Sequence, residues 1–373
     1  MMEPPTRNKF TLETPCLVLD LDILERNLGV MQSLADKKGK RLRPHAKTHK
    51  CTRLAKKQIE SGAAGICAAK ISEAERLAEA GIENILVTGP FISPVSLKRI
   101  VDTIRMCPSL MVALDNAQVV SELNNQLQVN GLTLDVLLDI DVGLRRTGTK
   151  PADVLSLARH ILAQSSLKLR GIQAYAGHLQ HITSYKERKV SSRASLEGVV
   201  PIFEKLHSEV EGFTIFSASG TGTFEMDSDI PEVTEHQVGS YVCMDAEYLA
   251  VESSEGSKGF TALEPALRLM TTVVSANQSG FVTVDAGLKT LYKDGAVPRV
   301  ITPQYSGTTY DWFGDEYGKI SYGVDSEAPP LGTVLELITS HCDPTINLFD
   351  RFYITKGEEV VDEWPIDLRG CSQ

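Results

Sequence analysis

From about residue 41 the chain alternates short apolar runs with stretches of helical period. The apolar runs predict strands at 42–46, 65–68, 84–88, 110–114, 134–141, 169–175, 213–218 and near 233–241. Between them, residues 71–80, 94–104 and 152–163 carry apolar side chains on one face. In the first of these, Ile71, Ala74, Leu77 and Ala78 mark the buried side, and Glu73, Glu75, Arg76 and Glu79 the solvent side. Eight strands separated by helices match a (β/α)8 barrel. A doubly wound open sheet is the structural alternative. The count, and the lack of a GxGxxG turn after the first strand, favour the barrel.

After about residue 253 the pattern changes. Short alternating runs at 280–285, 299–301, 332–338 and 352–354 lie between Gly, Pro and Asp turns, and long helical patterns are absent. The expected organisation is an α/β barrel over 20–255, with 1–19 and 256–373 forming a mostly β domain. The apolar run 16–19 suits either unit, and 253–258 is the best loop or linker candidate. No internal repeat or low-complexity tract is evident.

Composition narrows the function without naming it. The 373 residues carry a formal charge of −10 and no Lys/Arg-rich tail, which argues against nucleic-acid binding. No apolar run approaches the roughly 20 residues a membrane span needs, and the polar first ten residues contain no signal-peptide core. Seven cysteines, several inside apolar runs and none in a CxxC pair, read as reduced thiols. The expectation is a soluble cytoplasmic protein with neither nucleic-acid nor membrane partners.

The chemistry concentrates after the strands, where barrels place their active sites. Arg43-Pro44-His45-Ala46-Lys47-Thr48-His49-Lys50 sets a lysine between two histidines at a strand end, ahead of a helix. Lysine forms Schiff bases with aldehydes once its surroundings lower its pKa. After strand seven comes Ser217-Ala218-Ser219-Gly220-Thr221-Gly222-Thr223, and after strand eight Gln237-Val238-Gly239-Ser240-Tyr241. Small and hydroxyl residues there free backbone N–H groups for an anion. One such loop is usually a plain turn; two at the phosphate positions of a barrel carry more weight.

Strand five ends in Asp141-Val142-Gly143-Leu144-Arg145-Arg146, which offers permanent cations. Strand six ends in Tyr175-Ala176-Gly177-His178-Leu179-Gln180-His181, with two candidate general bases. In the β region, Ser340-His341-Cys342-Asp343-Pro344-Thr345 would, if extended, put His341 and Asp343 on one face. That pair is a partial site for a divalent ion, left open for water or substrate.

Together these strings, with Thr14-Pro15-Cys16-Leu17-Val18-Leu19-Asp20, resemble the D-threonine aldolase family over essentially the whole chain. The family belongs to the fold-type III pyridoxal-phosphate enzymes, with alanine racemases and D-serine dehydratases. The resemblance implies an alanine-racemase-like (β/α)8 barrel with a mostly β C-terminal domain. It also implies Lys47 as the Schiff-base lysine and Tyr175, Ser219, Gly220, Thr221, Gly239 and Ser240 around the cofactor phosphate. Arg146 would stand on the cofactor ring side, with Arg145 an alternative, and Gln237 would face the pyridine nitrogen. A neutral partner there implies an unprotonated nitrogen and a weaker electron sink.

By the same resemblance His181 is the base, His341 and Asp343 hold the metal, and Asp315 is an outer partner through water. The metal would be Mn²⁺ first, with Mg²⁺ or Zn²⁺ as alternatives. The implied reaction is retro-aldol cleavage of D-3-hydroxy amino acids to glycine and an aldehyde, by a homodimer. Rival readings are a 3-hydroxy-D-aspartate aldolase releasing glyoxylate, and a dehydratase of D-serine or 3-hydroxy-D-aspartate. In dehydratases of this class the metal pair is His-x-Cys, so Asp343 favours the aldolase. A racemase, a non-catalytic pyridoxal-phosphate carrier and a metal-dependent barrel hydrolase fit fewer of these residues.

Overall fold

The computed structural model describes residues 7–254, 256, 262–324 and 327–373. They divide into two compact units. One holds the described residues of 31–47, 52–239 and 370–373; the other holds those of 1–30, 48–51 and 240–369.

The first unit is a parallel barrel. Its strands are Arg41–Leu42, Ile66–Ala68, Ile85–Val87, Met111–Leu114, Leu134–Asp139, Leu167–Ala174, Ile215–Ala218 and Glu235–His236. Each pairs in parallel with its neighbour from the second strand to the eighth, and the eighth pairs with the first. The ring closes beyond the first strand. Ala46 N–H donates to the Cys67 carbonyl at 2.9 Å, and Cys67 N–H to the Pro44 carbonyl at 2.8 Å. Closure excludes the open doubly wound sheet.

The strands read as unbroken apolar runs because both faces are covered. Ile66, Cys67, Ala68, Ile85 and Leu86 are fully buried. Most strands are shorter than the apolar runs that predict them. The eighth keeps only Glu235 and His236 of the expected 233–241, and Ser240–Val242 is instead a 3-10 turn. The helix Ile71–Glu79 buries Ile71, Ala74, Leu77 and Ala78 as expected. Glu73 departs from its expected solvent side and is buried. Its carboxylate folds back to accept the backbone N–H groups of Ala69 (2.7 Å) and Lys70 (3.3 Å), which the helix start leaves without partners.

The second unit is mostly β. Leu267–Ser275 lies between Cys16–Asp20 and Val334–Ile338, antiparallel to both, and also pairs with Phe281–Val284. Cys16–Asp20 pairs on its other side, in parallel, with Arg351–Lys356. Cys16–Asp20 is thus internal to this sheet. Leu17 and Leu19 are buried on one of its faces; Cys16 and Val18 pack with Leu12 and Met270 on the other. Of the expected loop 253–258, Glu255, Ser257 and Lys258 lie outside the described residues. Among the described residues no helix is long and apolar enough to cross a membrane. All seven cysteines are free, and six are buried.

Candidate active site

In the barrel unit, Lys47 is half-buried in the turn that follows the first strand, and its N–H lies 3.4 Å from His45 Nδ1. The helix after it begins only at Thr52. Beneath the turn, Arg43 and Glu235 form a buried pair, with Nε–Oε1 at 2.9 Å and Nη2–Oε2 at 3.1 Å. Burial alone would raise the Glu235 carboxyl, but the guanidinium, together with the Ser217 hydroxyl, holds it below its ordinary value. A two-bond pair of this kind ties the first strand to the eighth.

The loop after strand seven is a backbone cradle. Ser219 adopts φ 68°, a left-handed conformation that turns successive N–H groups toward one side. Its hydroxyl is engaged elsewhere, 2.9 Å from His236 Nδ1. Burial pushes the His236 imidazole down to about 3, so the ring is neutral. Ser228 donates to the Phe224 carbonyl and so accepts from His236 Nε2 at 2.9 Å. His236 Nδ1 is therefore the acceptor, and Ser219 gives it a proton. What residue 219 has left for an anion is its backbone N–H. Neither that N–H nor the N–H of Gly239 finds an acceptor among the described residues, and both residues are buried. Two orphan donors from the loops after the last two strands fit a phosphate dianion.

Gln180 props this cradle. Its Oε1 accepts the Gly222 N–H at 3.0 Å, and its Nε2 reaches Thr223 Oγ1 and the Ala176 carbonyl, both at 3.2 Å. A Cβ at Gly222 would overlap the Gln180 backbone carbonyl, so only glycine allows this approach. Behind the loop, burial raises the Asp227 carboxyl to about 6, against hydrogen bonds from Ser192 and Thr223.

Gln237 is buried directly after the eighth strand and joins a chain of amides. It donates to Gln173 Oε1 at 3.1 Å and to Ser217 Oγ at 2.9 Å. Gln173 donates in turn to Asp139 Oδ1 at 2.9 Å and to the Thr88 carbonyl at 3.1 Å. Burial raises Asp139 to about 6, opposed by Gln173, Thr147 and the charge of Arg146. Tyr175 is half-buried, Gly220 and Thr221 are buried, and Arg146 and His181 are exposed.

In the β unit, His341 and Asp343 do come together, though not as an extended segment would bring them. His341 is extended (φ −134°, ψ 123°) but caps a short helix, Cys342–Ile346, with Asp343 in its first turn. Pro344 is tolerated there because first-turn N–H groups have no helical partner. His341 Nε2 lies 3.9 Å from Asp343 Oδ1, a gap one ion about 2.1 Å from each could bridge. Asp294 Oδ2 lies 3.0 Å from His341 Nδ1, which places the proton on Nδ1 and leaves the Nε2 lone pair outward. Asp315, the expected outer partner, is exposed; the carboxylate against the ring is Asp294. Ser240 Oγ lies 3.5 Å from Asp343 Oδ1. Among the described residues no group of three or more His, Cys, Asp or Glu side chains could hold an ion. The donor set is thus a pair, with one imidazole and one carboxylate suited to a borderline or hard divalent cation.

A family model for the alanine racemase N-terminal domain matches residues 19–247, and one for a serine dehydratase domain matches 266–355. A D-threonine aldolase from Arthrobacter sp is 36% identical over 97% of this chain and 94% of its own. The chain belongs to the D-threonine aldolase family. It shares 33% identity with a 3-hydroxy-D-aspartate aldolase from Paracoccus denitrificans (strain Pd 1222), over 98% of this chain and 94% of the relative. The crystal structure of D-threonine aldolase from Filomicrobium marinum superposes with a TM-score of 0.91 at 32% identity, covering 99% of this chain and 100% of that one. Membership of the D-threonine aldolase family makes this a fold-type III pyridoxal-phosphate enzyme.

The sequence strings pointed to the loops but not to the residues that hold them. Gln180, His236, Gln173, Asp139 and Asp294 take their roles from partners distant in sequence, as in His236–Ser219, 17 positions apart, and His341–Asp294, 47 apart. A buried polar residue inside an apolar strand, such as Gln173 or His236, was the signal available.

Proposed function

We propose that this protein is a pyridoxal-phosphate- and divalent-metal-dependent aldolase that cleaves D-3-hydroxy amino acids of the D-threonine type to glycine and an aldehyde. The observation that carries the reading is the His341–Asp343 pair, oriented by Asp294, in a chain 36% identical to a D-threonine aldolase. Lys47 would hold the cofactor as a Schiff base, with the N–H groups of Ser219 and Gly239, and Tyr175, Gly220, Thr221 and Ser240, on its phosphate. Arg146 would stand at its ring. Bound pyridoxal phosphate supplies an electron sink for the pair left on Cα. The ion, Mn²⁺ first and Mg²⁺ or Zn²⁺ next, supplies Lewis acidity at the substrate's β-hydroxyl.

His341 and Asp343 hold that ion, and His181 takes the hydroxyl proton. Departure of the proton would form the aldehyde carbonyl as the Cα–Cβ bond breaks, and a proton taken up at Cα would complete glycine. Selection for the D configuration follows from which face of Cα these groups attend. The β-substituent is read weakly, because base and metal both address the hydroxyl. The aldolase from Paracoccus denitrificans supports 3-hydroxy-D-aspartate as a second substrate, with glyoxylate as product. Seven free thiols support a cytoplasmic setting, and the reading includes a homodimer, as in the family.

The test is a product assay on D-threonine and 3-hydroxy-D-aspartate with pyridoxal phosphate and Mn²⁺, then with chelator. Glycine plus an aldehyde, lost on chelation, is the expected result. Ammonia plus a 2-oxo acid would make the protein a dehydratase.

A further inference from the structure

Gln237 is neutral, yet it is not indifferent, because its amide can point only one way. Gln173 settles the matter first. One of its amide atoms lies 3.1 Å from the Thr88 carbonyl and 2.9 Å from an Asp139 carboxylate oxygen. A backbone carbonyl only accepts, so that atom is the nitrogen, and both its protons are committed. The Gln173 oxygen is then what meets Gln237 at 3.1 Å, and it requires the Gln237 nitrogen.

Ser217 imposes the same orientation independently. Its hydroxyl lies against the Glu235 carboxylate, which is itself paired with Arg43. Ser217 therefore gives its proton to Glu235 and must accept from Gln237 Nε2, at 2.9 Å. Both protons of that nitrogen are committed, and Gln237 Oε1 accepts no hydrogen bond among the described residues. A flipped amide would set oxygen against oxygen at Gln173 and leave Ser217 without its donor.

Resting on the functional reading above and on the family resemblance that puts Gln237 opposite the pyridine nitrogen, we infer that Gln237 presents a fixed amide oxygen to the pyridine nitrogen of bound pyridoxal phosphate, and so holds that nitrogen protonated. An amide oxygen has no proton to give, so the contact is a hydrogen bond only when the ring supplies N–H. The neutral residue at this position thus works opposite to the expectation from its lack of charge. It keeps the ring a strong electron sink, which suits cleavage that leaves an electron pair on Cα. Gln173 and Ser217 are positioning residues; they act by denying the amide its other orientation.

The experiment is ¹⁵N magnetic resonance of holoenzyme reconstituted with pyridoxal phosphate labelled at the ring nitrogen. The resonance of the parent protein is expected at the protonated position across neutral pH. Gln237→Met, which fills the space without an acceptor, is expected to move it to the unprotonated position. Gln237→Glu, which keeps an acceptor, is expected to restore the protonated signal. An unprotonated nitrogen in the parent overturns the inference while the functional reading stands, and so does a Met variant that keeps the parent's signal. A protein that takes up no pyridoxal phosphate overturns both. The parent's own resonance decides the question even where a variant fails to fold.

Discussion

Ser219 gives its hydroxyl proton to His236 Nδ1 across 2.9 Å, so the residue meets an anion with its backbone and not its side chain. Ser219→Ala is therefore expected to bind pyridoxal phosphate within about twofold of the parent, while losing about 1 kcal/mol of stability with the internal bond. Gly222→Ala is the contrasting variant. Its Cβ would overlap the Gln180 carbonyl and force the loop open, weakening cofactor binding by about tenfold or more, that is 1.4 kcal/mol or more. Titration of the apoprotein with cofactor measures both. A Ser219→Ala variant weaker than Gly222→Ala would refute the backbone cradle.

Lys47→Ala should remove the absorbance band of the protein-bound Schiff base while the fold, read by circular dichroism, is retained. Lys47 is half-buried in a turn outside the strands, so its loss leaves no cavity in the barrel core. An unchanged band would move the cofactor to another lysine, and Lys50 would be examined next.

Among the described residues, the hydrogen bond of Asp294 is to the ring of His341, through Nδ1. Asp294→Ala frees that ring to take the wrong tautomer, and metal affinity should drop about 10–100-fold while high Mn²⁺ restores turnover. Asp343→Ala removes a donor outright, and added metal should not rescue it. Activity against Mn²⁺ concentration separates the two, and identical curves for both variants would sink the distinction.

The carboxyl of Asp227 is raised by burial from 3.8 to about 6. Between those values the folded protein holds a proton that the unfolded chain has lost. Stability from this group is greatest at low pH, falls as pH rises through the window, and is flat above about 6. The decline is on the order of 3 kcal/mol. Asp227→Asn should lack it, and so gain stability relative to the parent between pH 4.5 and pH 7.5. Asp139, also raised to about 6, behaves alike in both proteins and cancels. Urea midpoints at the two pH values give the comparison, and equal differences at both would show that Asp227 is charged in the fold.

The barrel was legible because each strand is an apolar run with both faces covered, and each helix shows its dry side. Strand ends were not. Residues 233–241 look like one strand by composition, yet the ladder stops at His236. The pair His341 and Asp343 was legible by residue type, whereas its geometry was not. Extension ends at His341, and the next residue starts a helix whose N-terminus meets the buried Asp245, a carboxylate 97 positions earlier that accepts the Cys342 N–H at 3.0 Å. The Gln237 network escaped the sequence for the same reason: an amide has two faces, and only its neighbours choose between them.

The strand Cys16–Asp20 has one partner at Leu267–Ser275 and the other at Arg351–Lys356. During synthesis it waits while about 330 further residues are made, at 5–20 residues per second, before that second partner is complete. All eight barrel strands are complete well before the second of those partners exists. A stalled or truncated chain therefore carries an apolar strand with unpaired edges, the form of sheet most prone to join another copy. The vulnerable interval in the synthesis of this protein is the wait, on the order of tens of seconds, between this strand and its second partner.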